Sequence, residues 1–123
     1  MARLAAAVLF LQAVLGAAVR HNALGVTAHI VGAAIAAGVA MWASLGVMMR
    51  HLDDGKMPRP AVALLVFTAV QIFSGLAAYS VRAAAAHDPQ PMPLTVWTTA
   101  AHVVLGALTL GSAIVLAMRS GKD

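Results

Sequence analysis

The chain contains no cysteine, which excludes disulfide bonds, thiolate metal ligands and a cofactor held through thioether bonds. Charged residues are scarce as well, at 10% of 123 residues, with only four of them acidic. In a soluble domain, about a quarter of the residues would be charged. With 62% hydrophobic residues and a mean hydropathy of +0.89, the composition indicates an integral membrane protein rather than a soluble one.

The net charge of +4 would favour nucleic acid as a partner only in a soluble protein. Here the lysines and arginines lie in short loops and at the two termini, so we expect no nucleic-acid partner and interpret these charges as topology signals. By its length the chain forms one domain, residues 1–123. Its partner is the lipid bilayer.

Four uncharged runs are separated by charged or proline-rich breaks, and they predict transmembrane helices at about 4–20, 23–49, 60–82 and 94–118. A bilayer core of about 30 Å requires about 20 helical residues, and open sheets cannot cross lipid. The first run resembles a signal peptide, but it completes the repeat described below, so we expect it to be a spanning helix. The sequence therefore predicts an all-α bundle of four transmembrane helices.

Six of the eight lysines and arginines lie in the two termini and the middle loop, and only Arg20 and Arg82 lie in the other two loops. Because positive residues favour the cytoplasmic side, this distribution predicts that both termini are cytoplasmic. We accordingly expect a bacterial-type inner membrane, with the turn near Arg20 and the loop after Arg82 facing outward.

An internal repeat divides the chain into two similar helical hairpins. In each copy a lone glutamine precedes a glycine by four residues, as in Gln12–Gly16 and Gln71–Gly75. Each copy then continues, after an outer loop, into a helix with one histidine and a glycine three or four residues later. Both copies cross the membrane in the same direction, so the pseudo-symmetry axis is expected along the membrane normal.

The two histidines of the repeat, His29 and His102, are expected in one polar layer in the outer half of the bundle. At 1.5 Å per residue they lie roughly 9 and 12 Å below the predicted outer ends of their helices. An ionisable side chain at this depth costs free energy and is a functional-site hypothesis by default. A matched pair on separate helices favours a group bound between them.

The favoured group is haem b, one per chain, with His29 and His102 as axial ligands of its iron. Bundle cores build cofactor sites from side chains on facing helices. A bare metal ion is disfavoured because the spans contain no carboxylate or thiol to complete its coordination shell. Gly32 and Gly106, on the histidine faces of their helices, would let a flat ring approach the backbone.

Other side chains are assigned supporting roles. Thr98, or a free carbonyl, would accept the proton of an imidazole nitrogen and so orient the ring. Arg20 and Arg82 would pair with the haem propionates at the outer surface. Gln12 and Gln71 are expected to join helices by hydrogen bonds, although one could reach a propionate. The candidate cofactor-binding residues are therefore His29, His102, Gly32, Gly106, Gln12, Gln71, Thr98, Arg20 and Arg82; no catalytic residue is assigned.

The sequence is also compatible with simpler interpretations of these glycines and histidines. Glycine and alanine in membrane helices often mark only close helix packing. A single intramembrane histidine can equally be a hydrogen-bonding residue between helices. A loop residue such as His21 could also replace one of the two proposed ligands.

The segment Leu11-Gln12-Ala13-Val14-Leu15-Gly16-Ala17-Ala18-Val19-Arg20 leads to His29, and Gln71 leads to Ala101-His102-Val103-Val104-Leu105-Gly106-Ala107. This pattern resembles one half of the haem A synthase family over nearly all of the chain. The resemblance implies a four-helix bundle that holds b-type haem near the outer face, between histidines on its second and fourth helices.

The chain departs from that family at the positions associated with oxidation of haem. The family's catalytic half has a glutamate three residues before the first histidine and an arginine directly after it, and here these positions are Val26 and Ile30. The outer-loop cysteine pair is also missing. The resemblance therefore implies haem binding at His29 and His102 more than it implies catalysis.

The sequence thus predicts a b-type cytochrome-like electron-transfer subunit, without catalytic activity of its own. Its partners would be other membrane or outer-side redox subunits of a respiratory complex, and quinone. One alternative is a half-size haem A synthase-like enzyme that acts as a homodimer. Another is a structural membrane subunit without haem, in which the histidines only tie helices together.

Overall fold

The computed structural model describes residues 1–51 and 58–120, which form four α-helices. They are α1 (Ala2–Arg20), α2 (Val26–Arg50), α3 (Arg59–Ala84) and α4 (Pro93–Arg119). All four are long and apolar enough to cross a membrane, which confirms the prediction of a four-helix, multi-pass membrane protein. Lys56 and Lys122, which also entered the topology prediction, lie outside the described residues.

The turn between α1 and α2 is longer than the sequence indicated, because α2 begins at Val26 and not at 23. Asn22 has a φ of 56°, a left-handed conformation that asparagine tolerates better than most residues. The Ala23 N–H donates to the Ala18 carbonyl at 2.8 Å and closes the end of α1. Gly25 is extended, with φ −69° and ψ 154°, and directly precedes α2.

Proline defines the beginnings of the other two helices. Pro60 is in the first turn of α3, and Pro93 is the first residue of α4, where a missing backbone N–H leaves no helical hydrogen bond unmade. Gln90 stabilises the segment 85–92 between α3 and α4, because its side-chain amide donates to the Ala85 carbonyl at 3.0 Å. Its Oε1 accepts from the Met92 N–H at 3.1 Å. The Gln90 side chain thus adds to the backbone hydrogen bonds of this turn, such as that from the Asp88 N–H to the Ala85 carbonyl at 3.2 Å.

The helices form a closed ring in chain order, in which α1 packs on α2 and α4, and α3 packs on α2 and α4. The helices α2 and α4 thus face each other across the bundle axis. Met1, His51, Pro58 and Ser120 lie at one end, called here the terminal end. The segments 21–25 and 85–92 lie at the other, called here the turn end.

The tightly packed core occupies only the terminal half of the bundle. Its buried cluster consists of Ala2, Ala40, Ala61, Leu64, Ala113 and Leu116. Towards the turn end, the last layer of buried residues in the helices contains Ala36, Thr68 and Thr109. Beyond this layer, Ala85 in the second turn is the one buried residue among those described. The small residues of the core bring the helices close together at the terminal end. The turn end has no such cluster among the described residues and is more open.

Candidate functional site

The structure brings His29 of α2 and His102 of α4 together across the bundle axis. Their ring centroids are 6.4 Å apart and the ring planes are nearly perpendicular, at 86°. Both side chains are partly buried. They lie seven residues, about 10.5 Å, closer to the turn end than Ala36 and Thr109, and therefore in the more open half of the bundle.

The two histidines occupy different positions along their helices. His29 is in the first turn of α2, about 4.5 Å from Val26, whereas His102 is about 13.5 Å from Pro93. The predicted depths of roughly 9 and 12 Å were too similar, because α2 begins three residues later than expected. Since the rings are adjacent, α4 extends farther at the turn end than α2 does. The α3–α4 hairpin therefore extends farther beyond the histidines than the α1–α2 hairpin does.

The glycines before the histidines leave room for the imidazole rings. A Cβ at Gly16 of α1 would lie 3.0 Å from His29 Cε1, and a Cβ at Gly75 of α3 would lie 2.8 Å from His102 Cε1. Cβ atoms essentially never approach other atoms as closely as 2.8 Å. Each imidazole therefore packs against the backbone of its hairpin partner helix.

The glycines after the histidines accommodate the two glutamines rather than an open space for a flat ring. A Cβ at Gly32 would overlap Gln12 Oε1 and lie 2.9 Å from Leu15 Cδ1. A Cβ at Gly106 would lie 3.1 Å from Gln71 Nε2. In each hairpin, the histidine faces a glycine of the first helix and the glutamine faces a glycine of the second. The repeated motif is thus a reciprocal packing unit.

In the first hairpin the Gln12 amide holds His29. Its Nε2 donates to the His29 carbonyl at 2.9 Å and lies 2.9 Å from His29 Nδ1. Because an amide nitrogen carries two hydrogens, this arrangement assigns Nδ1 as the acceptor and places the ring hydrogen of neutral His29 on Nε2. The expected role of Gln12 as a link between helices agrees with these two hydrogen bonds.

In the second hairpin, Ser74 joins the glutamine in holding the histidine. The Ser74 hydroxyl donates to the Gln71 carbonyl at 3.0 Å, so its oxygen is free to accept from His102 Nδ1 at 3.0 Å. Gln71 Nε2 then donates to His102 Nε2 at 3.3 Å. These bonds assign the ring hydrogen of His102 to Nδ1. The two histidines therefore carry their ring hydrogens on opposite nitrogens.

Both glutamines keep a buried carbonyl oxygen without a hydrogen-bond donor among the described residues, at Gln12 Oε1 and Gln71 Oε1. A buried acceptor without a partner is costly, and native proteins rarely leave one. A half-turn of the Gln12 amide would present its oxygen to His29 Nδ1, at the cost of the hydrogen bond from Gln12 Nε2 to the His29 carbonyl. The site thus contains acceptors for ring hydrogens that its present hydrogen bonds do not use.

The other candidate residues have separate positions. The Thr98 hydroxyl donates to the carbonyls of Leu94 and Thr95 at 2.8 and 3.3 Å, within its own helix. The sequence suggested Thr98 as the residue that orients a histidine ring. In the structure, Ser74 contacts the His102 ring instead. The sequence feature that could have indicated this role is a serine three residues after Gln71 in an otherwise apolar helix. Arg20 and Arg82 are exposed near the turn end.

The described residues contain no group of three or more histidine, cysteine or acidic side chains that could hold a metal ion. His29 and His102 are therefore a donor set of two nitrogens between facing helices. Fold and site together define a multi-pass helical membrane protein with a histidine pair in the open half of its bundle. No family model, curated protein or solved structure matches the chain, so the inferences that follow depend on this geometry.

Proposed function

We propose that this protein is a b-type cytochrome-like electron-transfer subunit, with one haem b held between His29 and His102. The observation that carries the proposal is the separation of the two imidazoles across the bundle axis, 6.4 Å between centroids. A histidine nitrogen binds a metal at about 2 Å, so two imidazoles on opposite sides of one metal atom have centroids roughly 6 Å apart. The observed spacing supports ligation by both rings.

The composition of the donor set favours haem over a bare ion. Two protein nitrogens leave most of a metal's coordination positions empty, whereas a porphyrin supplies four nitrogens of its own. The less tightly packed half of the bundle, beyond Ala36 and Thr109, is where a planar group would be accommodated between helices.

The hydrogen bond between His102 Nδ1 and Ser74 supports the same proposal, whereas the Gln12 bond to His29 Nδ1 and the Gln71 bond to His102 Nε2 would have to break when haem binds. A histidine that binds iron through Nε2 carries its hydrogen on Nδ1 and donates it to a neighbouring acceptor, which fixes the orientation of the ring. Ser74 already provides that acceptor for His102. For His29 the acceptor would be Gln12 Oε1, which is buried and has no donor among the described residues.

Held by His29 and His102, a haem would supply one-electron transfer, and the orientation and hydrogen bonding of the two imidazoles would influence its reduction potential. The chain's residues would bind and orient the group and keep it out of bulk water. Val26 and Ile30, at the positions where the haem A synthase family has a glutamate and an arginine, are apolar and at least 36% exposed. Their chemistry favours electron transfer over oxidation of the haem.

We further propose that the turn end faces outward from a bacterial-type inner membrane. Arg20 and Arg82 are exposed near this end, where either guanidinium would pair with a haem propionate. An outer-side redox subunit or a quinone would then exchange electrons with the haem. The distribution of the lysines and arginines supports this orientation.

The test is a dithionite-reduced minus oxidised spectrum of the protein purified in mild detergent after expression with excess haem precursor. We expect a sharp α-band typical of low-spin b-type haem. A matched control replaces the three histidines outside the site, His21, His51 and His87, with alanine and should keep the band. A flat spectrum from folded, helical protein would overturn the proposal.

A structural subunit without haem is the second candidate, and the direct bond between Gln12 and His29 favours it. That bond, with the glycine contacts, gives each histidine a role in helix packing without any ligand. The two candidates differ in the effect of haem on stability. If haem binds the folded protein, saturating haemin raises the temperature of unfolding in detergent; a purely structural pair leaves it unchanged.

A further inference from the structure

A groove lies between α3 and α4 on the outside of the bundle, in its terminal half and away from the histidine pair. Its volume is about 380 Å³, and it is mainly apolar. The residues that line it include Arg59, Ala63, Phe67, Ala107, Gly111 and Ser112.

Small side chains on neighbouring helices create the groove. Ala63 of α3 and Gly111 of α4 leave a depression, while Phe67 and Val115 contribute larger side chains to its lining. A Cβ at Gly111 would meet no atom within 4 Å, so the groove at this point is open space and not a packed contact. Leu108 and Val115 in the same lining are 45% and 42% exposed. The groove therefore faces the surroundings of the bundle, which at this depth are lipid chains.

Charge is distributed unevenly between the two ends of the bundle. Arg59 is the charged residue of the lining and is the first residue of α3, at the terminal end. Arg3, Arg50 and Arg119 lie at the same end. Among the residues described, the one acidic side chain is Asp88, in the turn at the opposite end. An anionic headgroup at the terminal end would thus meet these arginines; Asp53, Asp54 and Asp123 lie outside the described residues.

We propose that this groove binds one anionic glycerophospholipid, with an acyl chain along its apolar lining and the phosphate at Arg59. The apolar lining matches a hydrocarbon chain, and a guanidinium binds phosphate oxygens in a bidentate geometry. Basic pockets between transmembrane helices are known to hold anionic lipid headgroups. The proposal is independent of haem, because the groove shares no residue with the histidine site.

The experiment is native mass spectrometry of the full chain in detergent, with equal amounts of phosphatidylglycerol and phosphatidylcholine added. We expect the wild type to retain one phosphatidylglycerol in preference to phosphatidylcholine. Arg59→Gln should lower that preference roughly fivefold, since one arginine near the headgroup contributes about this factor. Gly111→Leu should fill the groove and lower retention of both lipids.

Two matched controls separate this site from general lipid contact. Arg82→Gln removes an exposed arginine at the opposite end, and Gly38→Leu fills open space on α2, outside the groove. Both variants should retain phosphatidylglycerol as the wild type does. Wild-type retention in both Arg59→Gln and Gly111→Leu, or equal loss in the controls, would overturn the proposal. Circular dichroism of each variant verifies that the helices are intact.

Discussion

The two hairpins of this bundle share one framework and differ in how they hold their histidines. Gln12 and Gln71 each contact the histidine of their own hairpin, and Gly16 and Gly75 each leave room for its ring. Three residues after each glutamine, however, the first hairpin has Leu15 and the second has Ser74. The repeat therefore specifies the packing of the imidazoles. The ring nitrogen that each glutamine contacts, together with Ser74 at a non-repeated position, decides which nitrogen carries the hydrogen.

The two hairpins also differ in how far they extend at the turn end. The α3–α4 hairpin extends farther at the turn end, since His102 lies about 13.5 Å from the start of α4 and His29 about 4.5 Å from the start of α2. The second hairpin thus holds its histidine through both ring nitrogens and extends farther beyond the site. Within our proposal, His102 is the ligand already in the ligating tautomer, and His29 requires a change of tautomer.

The largest expected effect comes from removing either proposed ligand. His102→Ala and His29→Ala should each abolish stable haem binding, which we expect as at least a tenfold lower haem-to-protein ratio, because loss of a metal ligand exceeds the 10–100-fold cost of losing its hydrogen-bond partner. Pyridine haemochrome assay of purified variants measures the ratio. Unchanged haem content in both variants would refute the paired ligation, and the triple variant at His21, His51 and His87 is the control.

Ser74→Ala tests the difference between the hairpins directly. The substitution removes the acceptor for His102 Nδ1, and it should weaken haem binding about 10–100-fold. Thr98→Ala is the matched control, since that hydroxyl bonds only to carbonyls of its own helix among the described residues, and it should bind haemin as the wild type does. Equal affinity in Ser74→Ala and wild type, by haemin titration, would argue against the orienting role.

Leu15→Ser would make the first hairpin resemble the second. We expect its haemin affinity to be equal to or higher than that of the wild type, because a serine there could accept from His29 Nδ1. A pronounced loss of affinity would show that Leu15 is needed for packing on Gly32, whose Cβ position lies 2.9 Å from Leu15 Cδ1.

Alanine at the glycines against the histidines should destabilise the bundle even without haem. Gly75→Ala places a Cβ 2.8 Å from His102 Cε1, and such overpacking costs about 1–3 kcal/mol. Gly16→Ala, with a distance of 3.0 Å, should cost less. Gly38→Ala enters open space and should be neutral or stabilising by up to about 1 kcal/mol. Thermal unfolding in detergent measures the stability of each variant. Equal unfolding temperatures for all three variants would contradict this prediction.

The smallest effects are expected at the two arginines of the turn end. Arg20 lies four residues beyond Gly16, about 6 Å, and Arg82 lies seven beyond Gly75, about 10.5 Å. Because Arg20 is closer to the histidine layer, Arg20→Gln should accelerate haem dissociation more than Arg82→Gln, by roughly fivefold or less at an exposed site. A larger effect in Arg82→Gln would reverse the assignment of the propionate partner.

Much of the fold could be predicted from the chain alone. Long uncharged runs between charged breaks determine the four helices, and their bounds differ from the observed ones by at most three residues. The largest difference, at α2, arose because Gly25 and Asn22 form an extended and a left-handed link that hydrophobicity does not register. The cytoplasmic position of the termini stays a prediction.

The site could be predicted only in part. The repeat indicated that His29 and His102 face each other, and the structure places their rings 6.4 Å apart. Periodicity along single helices could not show that Gly32 and Gly106 accommodate glutamines from neighbouring helices. Nor could it select Ser74 over Thr98, because both are hydroxyl residues about one turn from a polar residue of the repeat.

The amino-acid sequence by itself determined the membrane-spanning class, the number of helices and the identity of the paired histidines. These properties depend on composition and on spacing along one chain, which a single helix expresses without its neighbours. Only the tertiary structure decided which side chain binds each ring nitrogen, which half of the bundle is open, and where α3 and α4 leave a groove with Arg59 at one end. Those properties arise where side chains of different helices compete for the same space and the same hydrogen-bond donors, and no pattern along one helix records that outcome.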